Sequence, residues 1–402
     1  MSELYVLPEG WEWKKLGDIT TLIGGGTPKR NNNEYWENGT IIWLSPTDLG
    51  GIGEIVDVDI SKDKITELGL AKSSARLLPI GTVLYSSRAT IGKIAINSIE
   101  VSTNQGFTNF ICNDDLLNKY LAYVLNRFTP EITLLSNSTT FKEVSKTSLK
   151  AFKIPFPPLQ EQKRIVAKLD SLFAKIDQAI ALHQQNIDEA EALMGSVLNE
   201  VFGELEERYE KKVLKDIVTK LGDGLHGTPK YDETGDYYFI NGANLLDNKI
   251  FIKDNTKKIN KSEYEKYKKD LNDKTVLVSI NGTIGNVALY NHEKCVLGKS
   301  ACYFNLKDNI DKFYIVYVVK NGDFQQYIRE NATGSTINNV SLKTMREYPV
   351  IIPPLKTQQK TVQYLDQLSQ KTEKLKQVQQ EKMQHLKDLK ASILDRAFRG
   401  EL

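Results

Sequence analysis

The sequence predicts an α+β chain in which two homologous α/β domains are separated by two long antiparallel coiled-coil helices in pseudo-two-fold symmetry. Three observations predict it. Residues 13–205 recur in looser form at 212–402, each copy opens on short apolar strands broken by Gly, Asn and Ser turns, and each closes in a long heptad helix. A period of domain size excludes a solenoid of short repeats. The boundaries expected are a first domain over 1–155, a helix over 156–205, a second domain over 206–352 and a second helix over 353–402.

The two copies agree in order through several landmarks. Leu16-Gly-Asp-Ile19 answers to Leu214-Lys-Asp-Ile217, and Gly26-Thr-Pro-Lys29 to Gly227-Thr-Pro-Lys230. Thr82 to Gly92 pairs without a gap with Thr275 to Gly285, and Ser148-Leu-Lys150 with Ser341-Leu-Lys343. Pro157-Pro-Leu159 leads into Gln162-Lys163 and Leu169-Asp170, as Pro353-Pro-Leu355 leads into Gln359-Lys360 and Leu365-Asp366.

The strands expected in the first copy are Ile41 to Leu44, Thr82 to Tyr85 and Lys93 to Ile96; in the second, Tyr237 to Ile240, Thr275 to Val278 and Asn286 to Leu289. A short helix follows in each, Leu116 to Arg127 and Asp311 to Asn321. The Pro-Pro-Leu phrases then start the long helices, because proline is accepted in a first turn. In the first helix Ile165, Leu169, Leu172, Ile176, Ala179, His183, Ile187, Ala190, Met194, Val197 and Val201 mark a seam of coiled-coil period. The second seam reads Val362, Leu365, Leu368, Thr372, Leu375, Gln379, Met383, Leu386, Leu389, Ile393 and Ala397. At the α-helical rise each is on the order of 60 Å long. His183 and Gln379 hold equivalent mid-seam places, where a polar layer would fix register.

Composition bounds the function. The 402 residues, 26% charged and 40% hydrophobic, suit two or three globular domains, and no run is long and apolar enough for a membrane span. The opening residues lack a signal peptide's pattern, so a cytoplasmic location is expected. Three cysteines without CxxC spacing give no disulfide framework; His292 beside Cys295 and Cys302 lacks a fourth ligand, and no metal is expected. A net charge of +2 is neutral as to nucleic acid, but the first long helix is acid-rich, so the remainder of the chain carries the positive excess. The densest group, Lys253 through Lys269 with Tyr264 and Tyr267, reads either as a solvated face or as a phosphate contact.

Catalytic patterns are missing: the chain has no GxxxxGK[ST], HExxH or GxSxG, and its Pro-Pro pairs are followed by leucine, unlike the Asn/Asp-Pro-Pro-aromatic motif of adenine methyltransferases. What repeats instead is polar turn chemistry suited to base edges and phosphates. In the first copy the candidates are Arg30, Asn31, Ser86, Ser87, Arg88, Thr90, Lys93, Thr139 and Lys142; in the second, His226, Lys230, Asn281, Thr283, Lys299, Ser335, Thr336 and Asn338. The frames agree while the tips differ, as they would in two readers of different sequences. Arg88, where the second copy has Asn281, is the strongest single candidate.

Leu7-Pro-Glu-Gly-Trp11, the segment Ile154-Pro-Phe-Pro-Pro-Leu-Gln-Glu-Gln-Lys-Arg-Ile-Val-Ala-Lys-Leu-Asp170, and the closing Ser392 to Leu402 resemble the specificity subunit of Type I restriction-modification enzymes, the HsdS family. The likeness spans the chain; Lys356-Thr-Gln-Gln-Lys-Thr361 departs from it. The resemblance implies two target recognition domains for double-stranded DNA and helices that dock two methyltransferase subunits and, through them, two motor/nuclease subunits. It implies no catalysis and no cofactor in this chain, with S-adenosylmethionine, ATP and Mg on the partners. Domains at opposite helix ends would read an asymmetric bipartite target in grooves more than one turn, about 34 Å, apart. Other readings are a specificity subunit whose partner fuses methyltransferase and nuclease, a stand-alone DNA-binding regulator, and a coiled-coil scaffold.

Overall fold

A computed structural model describes residues 5–136, 142–334 and 338–402. The chain forms two compact units, Met1–Leu182 with Glu381–Leu402, and His183–Gln380. Both divisions fall inside a long helix, so each unit contains half of one helix and part of the other.

In the first unit a five-stranded sheet runs in the order Thr20–Gly24, Phe107–Cys112, Val83–Ser86, Ile94–Asn97, Ile55–Val58. The first four strands are antiparallel neighbours and the last is parallel to Ile94–Asn97. A smaller sheet, Asp63–Ile65, Ile41–Leu44 and Ser102–Thr103, adjoins it. The helix Asn118–Thr133 buries Tyr120, Leu121, Val124, Leu125 and Ile132 against the large sheet, a stripe at helical spacing. It extends past the expected Arg127 and carries Pro130 within it. Strand Lys153–Phe156 pairs with Glu12–Lys15 and delivers the chain to the first long helix, Leu159–Arg208.

The second unit repeats the plan. Its sheet runs Val218–Asp223, Ala301–Leu306, Thr275–Ser279, Val287–Leu289, and its smaller sheet Lys258–Ile259, Tyr237–Ile240, Cys295–Leu297. Two helices, Lys312–Lys320 and Gly322–Glu330, replace the single one; Asn321 in extended conformation separates them. Strand Lys211–Val213 pairs with Pro349–Ile351, and the second long helix is Leu355–Phe398. Cys295 and Cys302 lie in separate hydrophobic clusters, and burial pushes the Cys295 thiol up to about 12.

Each long helix begins with the same buried clasp. The Gln162 carboxamide donates to the carbonyls of Asp115 and Pro157 and accepts from the backbone N–H of Leu117, at 2.9 Å each. Gln358 donates to Asn309 and Pro353 and accepts from Asp311. Both side chains are fully buried. The equivalent of Gln162 is therefore Gln358, in register with the flanking Pro-Pro-Leu and Leu-Asp landmarks, and not Gln359, with which the sequence comparison pairs it.

Within each unit the helices run antiparallel. In the first, Lys390 bonds Asp177 at 2.7 Å, and Leu394, Ala397 and Phe398 share a core with Ile165, Leu169, Phe173 and Ile176. In the second, Lys376 bonds Glu191 at 2.7 Å, and His183 Nδ1 lies 2.5 Å from Gln379 Oε1. Ile165, Leu169, Ile176, Ile187 and Leu365 are buried, while Leu172, His183, Leu368, Gln379, Leu386 and Ile393 are half-buried. Leu375 is corrected: it is 43% exposed, as Leu389 is at 47%. The seam passes instead through Val362, Leu365, Ser369, Thr372, Lys376, Gln379, Met383, Leu386, Lys390, Ile393 and Ala397, all buried or half-buried. That set alternates steps of three and four without exception, as a coiled-coil period requires. Two lysines occupy seam positions because acidic groups on the facing helix receive them.

Candidate nucleic-acid interface

The tip of each domain is built around one turn. In the first unit the turn joins Val83–Ser86 to Ile94–Asn97; in the second it joins Thr275–Ser279 to Val287–Leu289. Ser86 is buried at its base, where its hydroxyl donates to the Thr90 carbonyl at 2.6 Å and accepts from the Lys93 N–H at 2.8 Å. Ser279 accepts from the Asn286 N–H in the same way, at 2.9 Å. Left-handed backbone is needed twice per turn, at Ala89 and Gly92 in one copy and at Gly282 and Gly285 in the other. Gly92 also rests against Thr129, and Gly285 against Gln325, so a side chain there would collide with the helix behind.

A second segment locks each tip by two backbone rungs. In the first unit Ala89 N–H donates to Lys142 O and Val144 N–H to Ser87 O, both at 2.9 Å. In the second, Gly282 N–H donates to Asn338 O at 3.0 Å and Val340 N–H to Ile280 O at 2.8 Å. The rungs set Arg88 opposite Glu143 and Asn281 opposite Asn339. Residues bridged in this way carry neighbouring side chains. The Arg88 Nε stands 3.6 Å from Glu143 Oε2, both side chains about half exposed. Asn281 Nδ2 donates to Asn339 Oδ1 at 3.1 Å.

Around the second tip Asp223, His226, Asn281, Lys299, Asn339 and Ser341 line an open cleft of about 440 Å³. His226 Nε2 is hydrogen-bonded to Asp223. The cleft thus brings together three residues expected from sequence, His226, Asn281 and Lys299. In the first unit Gln105 holds the place of Lys299 in the turn just before the matching strand and bonds Thr27.

Other expected contacts are placed differently. Ser86 and Ser87 are corrected: both are buried, and Ser87 Oγ bonds Thr108 Oγ1 at 3.0 Å, so they build the tip and cannot meet a base. Lys93 turns inward, its ammonium donating to the Pro46 and Leu49 carbonyls. Arg30 bonds Asp63 at 2.7 Å and stacks 3.9 Å from the Trp36 ring centroid. Asn31, Thr90, Lys142, Lys230, Thr283 and Asn338 are exposed. Thr139, Ser335 and Thr336 lie outside the described residues. Within the lysine-rich stretch Lys268 pairs with Glu265, and Tyr264 stacks on Tyr237 at 4.3 Å. Glu143, Gln105 and Asp223 carry no sign of contact in the sequence; only the ladder and cleft place them at the tips.

Among the described residues no helix is long and apolar enough to cross a membrane. Residues 8–192 and 206–382 each match the Type I restriction modification DNA specificity domain. The MjaIX specificity subunit of Methanocaldococcus jannaschii is 36% identical over 170 residues, 42% of this chain and 39% of that protein. The matched stretch thus spans about two fifths of that relative, as it does of the EcoR124I/EcoR124II specificity subunit of Escherichia coli. The StySPI specificity subunit of Salmonella potsdam is 25% identical over 424 residues, 98% of this chain and 90% of its own length. A chain from a solved type I R-M system shares the fold with a TM-score of 0.73 at 22% identity, covering 99% of this chain and 100% of its own. The HsdS subunit from Thermoanaerobacter tengcongensis does so with a TM-score of 0.52 at 21% identity, covering 100% and 99%. With the domain matched twice over most of its length, the chain belongs to the Type I restriction-modification DNA specificity family.

Proposed function

We propose that this chain is the DNA sequence-specificity subunit of a Type I restriction-modification complex and performs no catalysis itself. One observation carries the reading: two tips share a backbone ladder rung for rung and differ in the side chains the ladder displays. Shared backbone with unlike exposed polar pairs is what two readers of unlike half-sites need. The target is accordingly bipartite and asymmetric. Arg88, Thr90 and Lys142 serve one half-site, with Asn31 near the phosphates; His226, Asn281, Thr283, Lys299 and Asn338 serve the other, with Lys230.

The long helices dock two methyltransferase subunits, which carry S-adenosylmethionine; motor/nuclease subunits with ATP and Mg join through them in the cytoplasm. Exposed apolar side chains support this part. Leu182 and Leu193 of the first helix are 54% and 55% exposed, and Val378 and Leu389, their equivalents in the second, are 38% and 47% exposed. Repeated uncovered apolar positions fit a partner that binds twice.

The test is to map methylated adenines in a host carrying the system, before and after residues 212–350 are exchanged for those of another family member. One half of a two-part sequence should change while the other stays. A change in both halves, or in neither, would overturn the proposal.

A further inference from the structure

Resting on that reading, we propose that the two ladders specify single base pairs of different kind: Arg88, ion-paired with Glu143, reads guanine, and the Asn281–Asn339 amide pair reads adenine. Each pair leaves different groups free. Arg88 turns its Nε toward Glu143. A guanidinium oriented through Nε keeps its two terminal amino groups side by side, and both are donors. Guanine alone offers two adjacent acceptors, O6 and N7, in the major groove. Glu143 is a positioning residue for that fork, and its charge reduces the sequence-blind attraction of Arg88 to phosphates.

The second pair leaves a different pattern. One amide hydrogen bond, from Asn281 Nδ2 to Asn339 Oδ1, consumes one donor and one acceptor. What that bond leaves unused is Asn281 Oδ1, an acceptor, and Asn339 Nδ2, a donor. Reversing both amides leaves one of each as well. An adjacent donor and acceptor complement adenine, whose N7 accepts and whose N6 donates, and mismatch guanine, which would set O6 against an amide oxygen. The cleft beside the pair, with Lys299 on its wall, leaves room for a groove edge.

In both units the pair stands on two main-chain rungs, so its side chains can be changed without disturbing the turn. This makes single substitutions informative. R88K keeps the charge and loses the fork; N339A removes the outward donor; each is made in the full chain co-expressed with its methyltransferase. Methylation is then scored at every sequence variant of the wild-type site. R88K should relax one position, occupied by guanine in one half-site, by about ten- to a hundredfold in discrimination, and leave the other half intact. N339A should do the same at an adenine of the other half. E143Q should weaken discrimination at the Arg88 position alone. The inference is overturned if R88K and N339A keep discrimination within twofold, or if the relaxed positions hold other bases. Should the wild-type complex methylate no bipartite sequence, the specificity reading itself fails, a result distinct from a bipartite site that ignores these residues.

Discussion

Gln162 and Gln358 show how single residues join domain to helix. Each uses one amide to satisfy one backbone N–H and two backbone carbonyls where the chain enters its helices. Gln162→Leu leaves those groups buried and unpaired, and should cost about 2–5 kcal/mol by chemical denaturation, whereas the exposed Gln160→Leu should cost less than about 0.5 kcal/mol; equal effects would deny the clasp its role. A second joint in the first unit is ionic: Arg127 bonds Asp395 at 2.6 Å and Glu131 at 2.9 Å. Burial alone would raise the Asp395 carboxyl, but hydrogen bonds from Arg127 and Arg399 hold it below its ordinary value. A depressed carboxyl contributes stability above the unfolded value, and that contribution is lost as pH falls through the folded one. D395N should therefore destabilise the first unit at neutral pH and lose its effect in acid; a deficit that persists unchanged at low pH would refute the linkage. At this scale the sequence is unevenly legible. Arg88 and Asn281 were visible as the differing tips of one turn, but their bridge partners lie more than fifty residues away, where spacing gives no sign of contact. Ser86 and Ser87 look like exposed turn residues and are buried because the turn folds back over its own base.

The second long helix shows where a pattern of residues misleads at the scale of an element. Its leucines at 375 and 389 draw the eye to a seam of irregular step, whereas the half-buried positions include Lys376 and Lys390 and keep the regular one. The first helix is legible because Ile and Leu fill its early seam; the second is not, because charge occupies two of its layers. Both lysine side chains are about three-quarters covered, while their acidic partners are more than half exposed. Replacing the lysines costs the acids little, since water already reaches them, and gains apolar contact. K376L and K390L together should raise the stability of the helix pair by about 0.5–2 kcal/mol, read as a higher melting temperature by circular dichroism. A loss of more than about 1 kcal/mol would show the ion pairs to be net stabilising. By contrast L375K should leave melting nearly unchanged.

Across the whole molecule the repeat was the most legible feature, because strand, turn and helix recur in the same order and family membership follows the same order twice. Less legible was the division of labour inside each helix, since heptads continue without a break where one compact unit ends and the next begins. The docking proposal makes a stoichiometric prediction at this scale. L193D with V378D should remove one of two methyltransferase copies, and L182D with L389D the other, as measured by native mass spectrometry; retention of both copies would exclude these side chains from the contact. The two-rung ladder has one more consequence. Because its hydrogen bonds are main chain to main chain, an altered codon at position 88, 143, 281 or 339 leaves the fold's scaffold in place. A lineage could therefore exchange one self-marking signature for another in a single mutational step, without an intermediate that fails to fold.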